Sequence, residues 1–201
     1  QQILTTLEGL HRQLSVDLTS RAPATIAVIL YPDQAYFDIT RAPSWSGALF
    51  DGKIRIPTRG LSSVTAELSA VLAHELTHAF IRSLPGRGCP SWFNEGVAQF
   101  QEGKSASGDR KWLETLNKGN QLIPLTELGA SFARLPADMA SVAYREGLAA
   151  IEFLTASSGK GSIRKILDLM AQNYNFQNAF ESVTRKTVAQ FDAEWRQSLN
   201  P

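Results

Sequence analysis

At 201 residues the chain can bury a sizeable core as one domain, so neither a metal nor a disulfide is needed merely to hold a fold together. Apolar residues make up 43% and charged residues 19%, which excludes a disordered chain; 20 Lys and Arg against 19 Asp and Glu leave a net charge of +1, which excludes a general attraction to nucleic acid or anionic membranes. Cys89 is the only cysteine, so an internal disulfide and a thiolate metal cage are excluded, and any transition-metal site must use His and carboxylate.

Residues 3–18 place Ile3, Leu7, Leu10, Leu14 and Leu18 at helical spacing with Glu8, Arg12 and Asp17 on other faces, which predicts an amphipathic helix. Residues 24–31 are rich in Ile and Val and run into Pro32-Asp33, which predicts a strand ending in a turn. Residues 43–47 read as a loop, and residues 48–50 and 53–57, on either side of Asp51-Gly52, as two short strands in a hairpin. A helix is predicted from Ser62 or Ser63, because helix formers then continue without Pro or Gly as far as Pro85. Pro85-Gly86-Arg87-Gly88-Cys89-Pro90 is a loop, and residues 91–101 are a second helix. Beyond a polar loop at 103–108 the pattern is helical in 109–117, 125–128, 141–157, 162–173, 176–184 and 188–199. Trp92, Phe93, Phe100 and Trp195 lie at helical positions and are read as core. No apolar run reaches the ~20 residues that would span a bilayer.

The expected fold is therefore α+β in one domain over 1–201. Residues 24–84 hold a small sheet and a long helix, residues 85–201 form a mostly helical lobe, and residues 1–20 hold the first helix. The start at Gln1 without Met suggests a mature or shortened chain.

Within the long helix, His74-Glu75-Leu76-Thr77-His78 is H-E-x-x-H. A four-residue step on a helix puts both imidazoles on one face one turn apart, where two neutral nitrogens can grip one ion. Imidazole suits Zn²⁺, and a catalytic zinc takes three protein ligands and leaves a fourth position to water. Glu75 stands beside the first ligand, where its carboxylate can take that water's proton. For the third ligand, Glu95 on the next helix is the best candidate, because a Pro- and Gly-rich loop allows the two helices to pack antiparallel. Glu102, at the end of its helix, and Glu67, two turns before His74, are weaker candidates. Arg82, Arg87 and Lys104 are read as solvated charges, with a cleft beside the metal as the alternative.

These motifs resemble those of the gluzincin metallopeptidases. Trp92-Phe93-Asn94-Glu95-Gly96-Val97-Ala98 is similar to the W-x-N-E-G-x-A segment of aminopeptidase N-type enzymes, although 16 residues between His78 and Glu95 make a slightly tighter loop. The resemblance implies a thermolysin-like zincin fold, Zn²⁺ on His74, His78 and Glu95, Glu75 as general base, and a peptide or protein substrate. Tyr144-Arg145-Glu146-Gly147 resembles the Y-x-K-G segment, with Glu146 in place of the lysine. By that likeness Tyr144 stabilises the tetrahedral intermediate, a role that a neutral phenol suits; otherwise it is a core tyrosine. Gly47-Ala48-Leu49-Phe50-Asp51 stands where aminopeptidases have G-A-M-E-N. Phe50 replaces the glutamate that grips a free amino terminus, which favours an endopeptidase. Gln99 matches a position where some gluzincins place a partner for a metal histidine. The overall pattern is similar to compact bacterial peptidase MA-like domains, which implies an exported location and a place beside helical repeats in a longer protein, with the helix in residues 1–20 as a remnant of that upstream helical region. Two other readings remain open: a zinc-binding domain that has lost turnover and serves interaction, and a helical scaffold without metal.

Overall fold

The computed structural model of the chain describes residues 2–41, 48–58 and 63–200. The expected loop at 43–47, the edge position of Gly47 and a helix start at Ser62 lie outside the described residues. The chain is mostly helical with a small three-stranded sheet, an α+β arrangement.

Helix α1 (Gln2–Asp17) buries Leu7 and Leu14, the stripe expected from its spacing. Strand β1 (Val28–Tyr31) covers only the second half of the predicted strand, and it leads into a helix, α2 (Asp33–Thr40), where a turn was expected. Pro-Asp opens helices as readily as turns. Here Tyr36 decides the outcome: it is fully buried and packs edge-on against both Tyr31 and Phe37. Arg41, at φ 53°, ends the helix.

The expected hairpin is formed by β2 (Leu49–Phe50) and β3 (Ile54–Pro57), antiparallel with Leu49 opposite Arg55 and Phe50 opposite Ile54. Gly52 occupies the turn at φ 107°, where a side chain would be strained. β3 also pairs parallel with β1, Val28 opposite Ile54 and Tyr31 opposite Pro57, so the strand order is β1-β3-β2 and β2 is an edge. Ile54 and Ile56 of the central strand are fully buried.

Helix α3 (Ala66–Ser83) begins after Ser63, because Thr65 is its cap: the Thr65 side chain accepts the Leu68 N–H at 3.1 Å. Leu72, Leu76 and Phe80 turn into the core. Helix α4 (Ser91–Gln101) fills its predicted span, and its first amides are satisfied from a distant loop, Ser91 and Trp92 N–H donating to the Gly129 and Leu128 carbonyls at 3.2 and 3.1 Å. The polar loop after it ends in a 3₁₀ turn (Ala106–Asp109), and α5 (Arg110–Lys118) comes next.

Residues 125–128 are a turn closed by Glu127 N–H to the Pro124 carbonyl at 2.8 Å, not a helix; so short a stretch cannot offset the cost of helix nucleation. Helix α6 (Ala137–Ser158) starts about a turn earlier than its apolar pattern, directly after Pro136, which places Tyr144 inside the helix and not at its opening. Helices α7 (Ser162–Ala171), α8 (Phe176–Thr184) and α9 (Val188–Ser198) complete the fold, the last opened by a Thr187–Gln190 capping box.

Trp92 is the centre of the aromatic core, with Phe93, Phe176 and Phe180 edge-on to it and Phe191 stacked at 6.1 Å. Removing a side chain so enclosed costs about 3–5 kcal/mol. Trp195 is buried as well, but Phe100, near the end of α4, is 36% exposed and so stands at the surface, not in the core. Among the described residues no helix is long and apolar enough to cross a membrane.

Candidate metal centre

Helix α3 carries His74, Glu75 and His78, and α4 packs against it with Glu95 turned towards the two imidazoles. The rings of His74 and His78 lie edge-on with centroids 4.7 Å apart. Both Nε2 atoms stand 3.6 Å from the same oxygen, Glu95 Oε2. Among the described residues His74, His78 and Glu95 form the group able to hold a metal, one ligand atom from each lying within 4.8 Å of the others. Ligand atoms on a tetrahedral zinc with bonds of about 2.0–2.2 Å are about 3.4 Å apart. The spacing and the donor types therefore fit a zinc-sized ion.

The far nitrogen of each ring is also held. His74 Nδ1 donates to Glu102 Oε2 at 3.1 Å, and His78 Nδ1 donates to Asn94 Oδ1 at 3.1 Å. In a neutral imidazole an acceptor on Nδ1 keeps the proton there and leaves the Nε2 lone pair for the common centre, the tautomer a metal ligand needs once an ion displaces any Nε2 proton.

The family model of the Peptidase MA superfamily matches residues 6–201. This chain belongs to the Peptidase MA superfamily. No curated protein and no solved structure matches it. Membership points to a metallopeptidase, a class that is typically metal-dependent, and the His-His-Glu cluster is where this Peptidase MA chain can take an ion.

The electrostatics of the cluster arise from burial opposed by close partners. Burial works against a charged His74, but hydrogen bonds to Glu102 and Glu95 outweigh it and raise its pKa to about 9 in the metal-free chain. Burial depresses His78, and the Glu95 charge only partly offsets this. Burial would raise Glu95, yet the His74 hydrogen bond and the His78 and His74 charges bring it below the ordinary carboxylate value. Glu75 is itself 8% exposed. Burial pushes its carboxyl up to about 7; His74 and the Phe50 amide pull it down, while Glu95 and Glu102 push it further up. A carboxylate with proton affinity near neutrality can both take and return a proton.

Tyr144, on α6, lies near enough to the cluster to feel the charges of Glu95 and Glu75. Its ring sits edge-on to Phe132 at 5.1 Å. Burial, with the Glu95 and Glu75 charges, lifts its hydroxyl to about 12, so at neutral pH it is a hydrogen-bond donor.

One expectation is refined here and one corrected. Glu102 stands at the end of its helix and outside the group able to hold a metal, as a weaker candidate should, but it is no loose end: it caps α4, its side chain is 13% exposed, and it bridges His74 Nδ1 and Lys104 Nζ, at 3.1 and 3.0 Å. Its relevance was hidden because only the α3–α4 packing brings the end of α4 level with His74 in the middle of α3. Lys104, 54% exposed, is a solvated charge that also pairs with Glu102. Gln99 does not serve a histidine; its Nε2 donates to the carbonyls of Tyr144 at 2.8 Å and Glu95 at 3.3 Å. Glu67, in the exposed first turn of α3, stays outside the cluster.

Proposed function

We propose that the chain is a zinc-dependent peptidase with a thermolysin-like arrangement, in which His74, His78 and Glu95 hold the ion. The observation that carries the reading is the convergence of both Nε2 atoms on Glu95 Oε2 at 3.6 Å, with each Nδ1 pinned from behind. A bound zinc supplies Lewis acidity, which polarises a peptide carbonyl and lowers the pKa of water towards about 7.

The remaining work falls to this chain's own side chains. Glu75 takes the proton of the attacking water as the new C–O bond forms, and returns it to the departing amine as the C–N bond breaks. Tyr144 donates a hydrogen bond to the oxyanion that develops between those steps. The edge of β2 beside Glu75 suits backbone pairing with an extended substrate, which needs no particular side chain.

We favour an endopeptidase. Phe50, on that edge, cannot pair with a substrate ammonium, and the neighbouring Asp51 carboxylate is already taken by Arg55 Nε at 2.9 Å. The test is cleavage of casein or a quenched peptide by the purified chain, with and without a chelator, beside Glu75→Gln. Chelator-sensitive cleavage that Glu75→Gln lowers by about 10²–10⁴-fold supports the reading. Zinc retention with no cleavage would make the chain a binding domain instead.

A further inference from the structure

We propose that Gln99 is a positioning residue that fixes Tyr144 relative to the ligand Glu95; this rests on the zinc peptidase reading above. Glu95 and Tyr144 approach the site from different helices, so the gap between metal and phenol is set by how α4 seats on α6. Gln99 lies one turn after Glu95 and is 7% exposed. Its Nε2 donates to the Tyr144 carbonyl at 2.8 Å and to the Glu95 carbonyl at 3.3 Å. One amide therefore ties together the backbones of the two residues whose spacing matters.

The helices meet here through Gly96 and Gly147, so closely that a Cβ on Gly96 would stand 2.3 Å from the Gly147 carbonyl oxygen. Such contact sets the separation of the helices but makes no directional bond along them. Gln99 supplies that bond. A helical carbonyl keeps a second lone pair after accepting its i+4 amide, so both acceptors can take the donated hydrogens. The side chain must also be a donor of this length. Methionine or leucine would fill much of that volume without donating.

The experiment uses the full chain labelled with 3-fluorotyrosine. Its four tyrosines give ¹⁹F resonances, and that of Tyr144 is assigned by its loss in Tyr144→Phe. In the wild type, added zinc shifts this resonance. In Gln99→Met and in Gln99→Leu, zinc affinity by chelator competition stays within about threefold, but the zinc-induced shift falls by half or more. On a quenched peptide kcat falls about tenfold while KM stays within about twofold, a loss confined to the transition state. Wild type that binds no zinc overturns the reading beneath the proposal, whatever Gln99 does. Wild type that binds zinc, with both variants keeping its ¹⁹F shift and kcat, overturns the proposal alone. Loss of a cooperative thermal transition in both variants also overturns it, since Gln99 would then belong to general packing.

Discussion

Glu102 Oε2 lies 3.1 Å from His74 Nδ1, so α4 supplies both a candidate ligand, Glu95 in its middle, and at its C-terminal cap the group that orients a ligand on α3. A histidine whose far nitrogen is held by a carboxylate is a better electron donor and cannot rotate away from the ion. Glu102→Ala should therefore lower zinc affinity by about 10–100-fold in chelator competition. Glu102→Gln, which can still accept the Nδ1 proton, should lose less. Equal affinities in all three proteins would show that the contact does not serve the metal.

Tyr144→Phe removes a hydroxyl and leaves the ring against Phe132. Zinc content should be unchanged, while kcat falls by about 10²–10³-fold, the usual cost of one oxyanion donor. A variant with wild-type kcat would return Tyr144 to the role of a core tyrosine.

Gly96→Ala is predicted to be among the most damaging small substitutions. Its Cβ would fall 2.3 Å from the Gly147 carbonyl oxygen and 2.7 Å from Ile151 Cγ1, and the first of these is backbone that cannot swing aside. We expect a loss of about 1–3 kcal/mol or more in urea unfolding. Gly129→Ala, where nothing lies within 4 Å of the new Cβ, should change stability by less than about 0.5 kcal/mol.

Glu146 gives the fold a pH dependence of its own. It is fully buried on α6; Oε1 accepts the Ile123 amide at 2.8 Å, and Oε2 has no partner among the described residues. Burial lifts its pKa to about 8, against the lowering effects of the Ile123 amide and Arg196 and with a further rise from Asp192. The folded state thus holds a proton that the unfolded chain loses above its ordinary value of 4.5. Stability from this group is complete below about pH 4.5, declines as pH rises, and is fully lost above about pH 8, by a few kcal/mol in all. Glu146→Gln should remove that decline. The check is the difference in urea midpoint between wild type and variant at pH 5 and pH 9; an identical pH dependence in both would contradict it.

The sequence revealed those features that depend on local chemistry. Helix α4 was legible because the breakers Pro90 and Gly103 bound a stretch free of Pro, and the proximity of His74 to His78 because a four-residue step on a helix permits little else. The return of Glu95 could be read from the breaker-rich loop before it. Long-range packing was not legible. Helix α2 depends on the burial of Tyr36, the pairing of Glu102 with His74 on the end of α4 meeting the middle of α3, and the bonds of Gln99 on an α4–α6 contact made by two glycines. None of these has a periodic signature, since each partner lies on another element.

The most direct test of the account is the metal content of the purified chain. After incubation with zinc and exhaustive dialysis, elemental analysis should find about one zinc per chain in the wild type and well below that in His78→Ala and Glu95→Ala, each checked for folding by its thermal transition. A folded wild type without stoichiometric zinc, or variants that retain it in full, would contradict the assignment of His74, His78 and Glu95 as the ligands.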